Sequence, residues 1–372
     1  MKKLVFGASF VLSVLLLAQL PAAGIKEKDD VLRKKIGCMV IAGFRGTSVE
    51  AGSYIVKAVN DLALGGVILF DYDVPSKSFP RNITGPSQTK KLLADIKRLT
   101  RGDIFAAVDV EGGRINRLKA KYGFLDFPSA QELGAVNDLA ETGRVGESIA
   151  KELKDTGFNL NFAPVVDVDI NKNNPVIGAL GRSFSSDPYI VADNAIAFIK
   201  EHRKYSVLTA IKHFPGHGSS SSDSHLGLVD VTNTYKDAEL IPYKKLIDAG
   251  YAGMIMTAHV MNRNIDPLYP ATLSQKFIKG ILRKELGFKG VVVSDDMQMG
   301  AITENYGFED AAVLAVNAGC DMLIIGNNAQ VYDESALYKA VNAIFNAVKS
   351  GRIPRGRIDE AYGRILTLCK RS

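Results

Sequence analysis

The sequence predicts an α/β fold, a single (β/α)8 barrel of the TIM type. Short β-branched apolar runs recur along the chain, and most are followed by a stretch with helical spacing. Eight such runs are present, and eight parallel strands close a barrel of this type. The chain has 372 residues, 47% of them hydrophobic, which is enough material for one large core. Barrels of about 250 residues or more fold as one domain.

The predicted strands are near-continuous apolar runs, as expected of a parallel sheet that is buried on both faces. They are Ile36–Phe44, Gly65–Phe70, Ile104–Val110, Phe158–Val168, Val207–His213, Ala252–Val260, Gly290–Ser294 and Asp321–Gly326.

Helical spacing fills the intervals between these runs. The predicted helices include Ser87–Leu99, Ala140–Thr156, Pro188–Lys204, Asp237–Ala249, Ser274–Leu286 and Phe308–Ala318. Several are followed by a glycine, the commonest residue after a helix C-terminus. A doubly wound open sheet is the structural alternative, but no glycine-rich phosphate loop follows the first predicted strand.

The first 23 residues have the layout of a secretory signal peptide. Two lysines precede an uncharged, mostly apolar stretch over residues 4–20, and small residues follow it. An uncleaved membrane-spanning helix is the alternative, although the stretch is short for that role. We therefore expect a signal peptide over residues 1–23, a catalytic barrel over residues 24–372, export to the periplasm or medium, and no stable membrane anchor after cleavage.

Composition excludes several functional classes. The formal net charge is +6, but the basic residues are interleaved with acidic ones, so no nucleic-acid partner is expected. Three cysteines, Cys38, Cys320 and Cys369, are too few for a disulfide scaffold, although one pair is left open. A monomer is expected.

Titratable residues cluster where the predicted strands end, which is where the active sites of such barrels lie. Asp109 and Glu111 lie at the end of the third strand, Asp167 at the end of the fourth, His259 at the end of the sixth, and Asp295 at the end of the seventh. Four of the five histidines lie at or just after the ends of the fifth and sixth strands. This clustering marks a candidate reaction centre, although such groups also form structural ion pairs.

A zinc site is one alternative, because His213 and His217 are four residues apart. Pro215 and Gly216 lie between them, so the segment is predicted to be a loop, and the helical geometry of such a motif fails. Neither a metal nor a cofactor is expected.

Asp223 and His225 form a better catalytic pair. In an extended loop the side chains of residues i and i+2 point the same way, so the carboxylate could orient the imidazole and raise its pKa. Such a histidine can give and take a proton near neutral pH. Asp295, on another strand, offers an anionic nucleophile, and together these groups suit double displacement at an acetal carbon.

These residues resemble the signature of bacterial β-N-acetylglucosaminidases of glycoside hydrolase family 3, the NagZ-type β-N-acetylhexosaminidases. The resemblance extends over nearly the whole chain after residue 23. The segments that carry it are Lys212-His213-Phe214-Pro215-Gly216-His217-Gly218, Asp223-Ser224-His225, Glu111-Gly112-Gly113-Arg114, Gly181-Arg182-Ser183-Phe184 and Ser294-Asp295-Asp296-Met297.

The resemblance implies a role for each matching position. Asp295 would be the nucleophile, His225 the acid/base and Asp223 its partner. The positions that hold the terminal N-acetylglucosamine would be Asp109, Arg117, Arg182, Lys212 and His213. The implied activity is exo-acting and retaining, on peptidoglycan fragments or chito-oligosaccharides.

Three alternatives remain from the sequence. Some relatives with the same Asp-His pair transfer the sugar to phosphate, so a β-N-acetylglucosaminide phosphorylase is the first. A β-glucosidase is the second, although that branch of the family typically has an additional domain and lacks the Asp-Ser-His loop. A non-catalytic sugar-binding protein is the third, and it would be expected to lack one of Asp223, His225 and Asp295.

Overall fold

The computed structural model describes residues 28–100, 104–224 and 227–371. Within them, eight parallel strands close into a barrel, which confirms the predicted fold. The predicted signal peptide lies outside the described residues and stays a prediction, as does the domain boundary after it. No helix of the described residues is long and apolar enough to span a bilayer.

Each barrel strand lies within or overlaps one of the predicted apolar runs. Neighbours in sequence are neighbours around the barrel, and the first strand pairs with both the second and the last. The strands are β1 Val40–Gly43, β2 Gly66–Ile68, β3 Phe105–Val108, β4 Leu160–Asn161, β5 Leu208–Phe214, β6 Met254–Thr257, β7 Val291–Asp296 and β8 Met322–Ile325.

The fourth strand is much shorter than predicted. Only Leu160 and Asn161 pair as a strand, whereas the apolar run was expected to extend to Val168. Pro164 has no backbone N–H for a strand ladder. Beyond it the extended chain makes a single bridge, from Val165 to Lys212.

Helices surround the barrel and bury one apolar stripe each. They are α1 residues 28–37, α2 Tyr54–Leu62, α3 Pro86–Leu99, α4 Ala130–Val136, α5 Leu139–Thr156, α6 Pro188–Lys204, α7 Ile241–Asp248, α8 Lys276–Glu285 (with π-type turns), α9 Gly300–Tyr306, α10 Phe308–Ala318, α11 Ala336–Lys349 and α12 Arg355–Cys369.

The boundaries of these helices have local chemical causes. Asp187 accepts a hydrogen bond from the backbone N–H of Tyr189 (2.8 Å), and Pro188 occupies the first turn of α6. The helix predicted from Asp237 begins instead as a tighter turn over Asp237–Leu240. The α-helix proper starts at Ile241, where Pro242 lies in its first turn.

A buried charge cluster stabilises the end of the barrel at which the strands begin. Asp321, just before β8, is fully buried and accepts hydrogen bonds from Arg357 (2.6 Å), Arg364 (3.0 Å) and Arg283 (2.7 Å). Arg357 is itself buried and also donates to backbone carbonyls that precede β8. The cluster therefore ties α8 and α12 to the base of β8.

We expect Asp321→Ala to lower the free energy of unfolding by about 3–5 kcal/mol, because it leaves buried guanidinium groups without their anion. Asp359→Asn is the matched control: it breaks an exposed ion pair with Lys35, and we expect a loss of about 1 kcal/mol or less. Urea unfolding followed by circular dichroism measures both. Equal losses in the two variants would contradict a stabilising role for the cluster.

Candidate active site

One cavity of about 920 Å³ is lined by residues that follow the C-terminal ends of the barrel strands. All five predicted sugar-binding residues and the predicted nucleophile line it: Asp109, Arg117, Arg182, Lys212, His213 and Asp295. They come from strands or loops that are far apart in sequence. The fold therefore brings these six residues to one cavity.

Lys212 is at the centre of a buried ion network. Its Nζ lies 2.8 Å from Asp109 Oδ1 and 2.7 Å from Glu111 Oε1. Glu111 also accepts two hydrogen bonds from Arg182, both of 2.8 Å. Burial alone would raise the pKa of Glu111, but Arg182 and Lys212 outweigh it and lower the pKa to about 2. Glu111 is therefore charged at neutral pH, and the network presents fixed donors and acceptors to the cavity.

Arg117 completes this polar wall. Its Nε lies 3.9 Å from Asp109 Oδ2, and its Nη1 lies 3.9 Å from Asp71 Oδ1. Among the described residues, no acceptor forms a hydrogen bond with this Nε atom. The guanidinium can donate to the hydroxyl groups of a sugar ring, and the carboxylate beside it can accept from them.

His213 is held in one orientation by Asp167. Its Nδ1 lies 2.7 Å from Asp167 Oδ2, and its Nε2 lies 3.4 Å from Arg182 Nη2. A carboxylate accepts, so Nδ1 carries a proton and donates it to Asp167, which fixes the orientation of the ring. Burial alone would raise the pKa of Asp167, but the interactions with His213 and His217 outweigh it and lower the pKa.

Asp295 lies at a local irregularity of β7. The pairing of β7 with β8 changes register between Val293 and Asp296, and such a bulge turns the side chains beyond it. Asp295 Oδ1 accepts the backbone N–H of Asp296 at 2.8 Å. Asp296 has a structural contact: its Oδ1 accepts the backbone N–H of Gly326 at 3.1 Å.

The loop after β5, residues 215–228 and here called the histidine loop, carries the predicted acid/base. His225 and Leu226 lie outside the described residues, so the pairing of Asp223 with His225 stays a prediction. The beginning of the loop is tightly bound. The backbone N–H of His217 donates to Asp167 (2.8 Å), and Asn174 Nδ2 donates to the His217 carbonyl (2.6 Å).

His217 has a structural environment in this loop. Its Nδ1 lies 2.5 Å from Ser220 Oγ and its Nε2 lies 3.3 Å from Ser224 Oγ. Burial lowers its pKa to about 4, with a smaller contribution from His213. His217 is therefore neutral at pH 7. No group of three potential metal ligands occurs among the described residues.

Three partners in the site were not identified as such from the sequence. Glu111 was recognised only as part of a motif, yet it joins Lys212 to Arg182. Asp167 was noted after the fourth strand without its link to His213. Asp71 is fully buried after β2 with Lys119 at 2.8 Å. Asp71 directly follows the second predicted strand, and this position could have identified it as a site residue from the sequence.

The comparisons with known proteins agree with this geometry. The sequence model of the glycosyl hydrolase family 3 N-terminal domain matches residues 31–368. A β-hexosaminidase of Nitrosomonas eutropha is 37% identical over 304 residues, which cover 79% of this chain and 82% of that protein. The chain therefore belongs to glycosyl hydrolase family 3. It is a glycoside hydrolase, which sets aside the non-catalytic alternative.

Solved structures support the same assignment. A family 3 β-N-acetylglucosaminidase from Paenibacillus sp. has a TM-score of 0.83 and 35% identity; the match covers 91% of this chain and 62% of that longer one. Zinc-bound CbsA from Thermotoga neapolitana has a TM-score of 0.76 and 29% identity, and the match covers 90% of this chain and 68% of that one. β-Hexosaminidase activity is thus the activity of the chain's relatives as well as the one that its site suits.

Glu239 holds the start of the histidine loop, and its buried carboxyl group makes the stability of the protein depend on pH. Its Oε2 accepts the backbone N–H groups of Gly218 (2.9 Å) and Ser219 (3.2 Å). Burial raises the pKa of Glu239 from 4.5 to about 7. The folded protein therefore holds this proton more tightly than the unfolded chain does, and this contribution to stability falls as pH rises from about 4.5 to about 7.

We expect Glu239→Gln, which stays uncharged, to become more stable relative to the wild type over that pH interval, by up to about 3 kcal/mol. Urea unfolding of both proteins at several pH values measures the difference between their free energies of unfolding. The titration of other groups cancels in this difference. A difference that stays constant with pH would contradict the raised pKa.

Proposed function

We propose that this family 3 enzyme is an exo-acting, retaining β-N-acetylhexosaminidase that releases terminal β-linked N-acetylglucosamine from peptidoglycan fragments or chito-oligosaccharides. One observation carries the proposal: Asp295 lines the same cavity as the buried network of Asp109, Lys212, Glu111 and Arg182. A carboxylate nucleophile beside fixed hydroxyl-binding groups is what a retaining glycosidase needs.

We propose exo action because ion pairs form one wall of the cavity. Lys212 is buried against Asp109, and the largely buried Arg182 is paired with Glu111. A terminal ring could hydrogen-bond to Asp109 and Arg117 through its hydroxyl groups. The non-reducing end is therefore the part of the substrate that this wall suits.

The proposed first step forms a covalent ester. The Asp295 carboxylate bonds to the anomeric carbon while the bond from that carbon to the leaving oxygen breaks. A proton passes from the His225 imidazolium to that oxygen, and Asp223 orients the ring. The Asp296 N–H, 2.8 Å from Asp295 Oδ1, helps to hold the nucleophile's orientation.

The second step restores the enzyme. A water oxygen bonds to the anomeric carbon, the ester bond to Asp295 breaks, and the water proton passes to His225. Two displacements at one carbon give net retention of configuration. All of these steps use side chains alone, so we propose that no metal or cofactor takes part.

We also propose that the enzyme is exported. The apolar stretch over residues 4–20 after two lysines supports export to the periplasm or medium. We propose that a carbohydrate is its partner and that it acts as a monomer.

We expect Asp295→Gly to lose at least about 10⁴-fold in kcat on a chromogenic β-N-acetylglucosaminide, because the nucleophile is absent. Azide should restore turnover, since the small anion fits the space left by the side chain and attacks from the same face. The product would then be the α-glycosyl azide, identified by NMR. The assays are run with and without EDTA and phosphate.

Exposed Asp248, paired with Lys244 outside the cavity lining, provides the control. Asp248→Asn should turn over the chromogenic substrate at near the wild-type rate. Near-wild-type turnover by Asp295→Gly would overturn the nucleophile assignment. Dependence on phosphate would favour the phosphorylase alternative, and loss of activity in EDTA would contradict metal-free chemistry.

The acid/base assignment makes a separate prediction. We expect His225→Ala to lose about 10²–10⁴-fold in kcat on a substrate with a poor leaving group and far less on one with an activated phenol. Asp223→Asn should lose less in kcat with the same dependence on the leaving group, because Asp223 only orients the His225 ring. Equal losses on both substrates would contradict proton donation by His225.

A further inference from the structure

The active-site cavity is larger than one sugar ring needs. Its volume of about 920 Å³ is near the upper end of the range of about 300–1,000 Å³ for ligand pockets. One part of the cavity lies against the wall formed by Asp109, Lys212 and Arg182. The other part of the cavity extends over α9, the start of α10 and the connection after β8. We call residues 303–310 and 328–333 of its lining the acidic arm.

The histidine loop indicates which end of the substrate lies in the acidic arm. The carbonyl of Ser224 accepts a hydrogen bond of 3.3 Å from the backbone N–H of Ala301, in the first turn of α9. Ser224 lies between Asp223 and His225, the proposed acid/base pair. Because that acid must reach the leaving oxygen, the leaving group would extend from Asp295 toward α9. This step rests on the proposed function.

The acidic arm carries excess negative charge. Asp333 is paired with Lys339 at 2.8 Å, and Asp310 with Arg352 at 3.0 Å. Glu304 and Glu309 also line the cavity and are exposed, and no described cation lies within ion-pair distance of either. Lys339 lines the cavity beside the arm, and its ammonium group donates to Asp333.

Neutral contacts are also available in the arm. The half-buried ring of Phe308 and the amide of Gln330 line it, and either can contact a sugar. Asn328 is already occupied: it donates to the Tyr72 carbonyl and accepts the Val74 N–H, so it fastens the loop after β2 to this wall. The arm therefore has a fixed wall and two exposed carboxylates, Glu304 and Glu309, that make no ion-pair contact among the described residues.

We propose that Glu304 and Glu309 determine leaving-group specificity by charge. The arm accepts an uncharged or amine-bearing leaving group, as in a fully acetylated or partly deacetylated chito-oligosaccharide, and disfavours the carboxylate of a muramic acid. A carboxylate entering the arm is repelled by Glu304 and Glu309 across a solvent-exposed gap, whereas an ammonium is attracted. Of the two substrate classes proposed above, the arm favours chito-oligosaccharides.

The test compares three disaccharides that share a terminal β-1,4-linked N-acetylglucosamine. Their reducing sugars are glucosamine, N-acetylglucosamine and N-acetylmuramic acid, assayed at about pH 6, where the free amine is protonated. We expect kcat/KM at low salt to be about tenfold higher for the glucosamine than for the muramic acid substrate. The ratio should shrink at about 1 M salt, where charges on the surface are screened.

The double variant Glu304→Gln/Glu309→Gln should reduce that ratio to about twofold or less, because both excess charges are gone. Glu285→Gln is the matched control: it removes an exposed carboxylate at the end of α8, outside the cavity lining. It should keep the wild-type ratio.

The outcomes separate the two proposals. An unchanged ratio in the double variant, or a wild-type preference for the muramic acid substrate, would overturn the specificity assignment while leaving the hydrolase intact. Failure of the wild type on every N-acetylglucosaminide, the neutral chromogenic one included, would overturn the proposed function and the specificity assignment with it.

Discussion

The buried ammonium of Lys212 is the constraint on which the rest of the site depends. Burying an unpaired charge costs several kcal/mol, so the fold must supply anions at fixed positions around it. Asp109 and Glu111 do so from the segment after β3, and Arg182 then neutralises the second oxygen of Glu111. The loops after β3 and β4 are thereby bound to β5, and a sugar meets hydrogen-bonding groups that are already oriented.

Irregularities in strand pairing also help to orient the side chains of the site. The pairing of β5 with β6 changes register between Ile211 and Phe214, and that of β7 with β8 changes between Val293 and Asp296. Both changes occur at the end of the barrel where the cavity opens. They adjust the directions of Lys212 and His213 in one case and of Asp295 in the other. Structural charge is kept at the opposite end, around Asp321.

Much of this was predictable from the sequence, because the strands are buried on both faces. A continuous apolar run such as Val291–Val293 has few other interpretations, and the residues that follow it must lie at the active end of a parallel barrel. That rule was enough to predict that Asp109, Lys212 and Asp295 lie close together, and the three residues line one cavity.

Pairings between charges could not be predicted in the same way. Glu111 is bound to Arg182, 71 positions away in the sequence, and Asp321 to Arg357, 36 positions away. Such partners are determined by three-dimensional distance and burial, for which sequence spacing gives no signal. The length of β4 was overestimated for a related reason, because hydropathy alone does not register that Pro164 cannot donate to a ladder.

The most direct test of the central claim is to trap the covalent intermediate. A fluorinated N-acetylglucosaminyl fluoride forms the ester quickly and releases it slowly, so the labelled protein can be digested and sequenced by mass spectrometry. The account predicts one sugar per chain, attached to Asp295 within the tryptic peptide of residues 290–339. A label on Asp296, Asp109 or Glu111, or turnover of the reagent with no label at all, would contradict it.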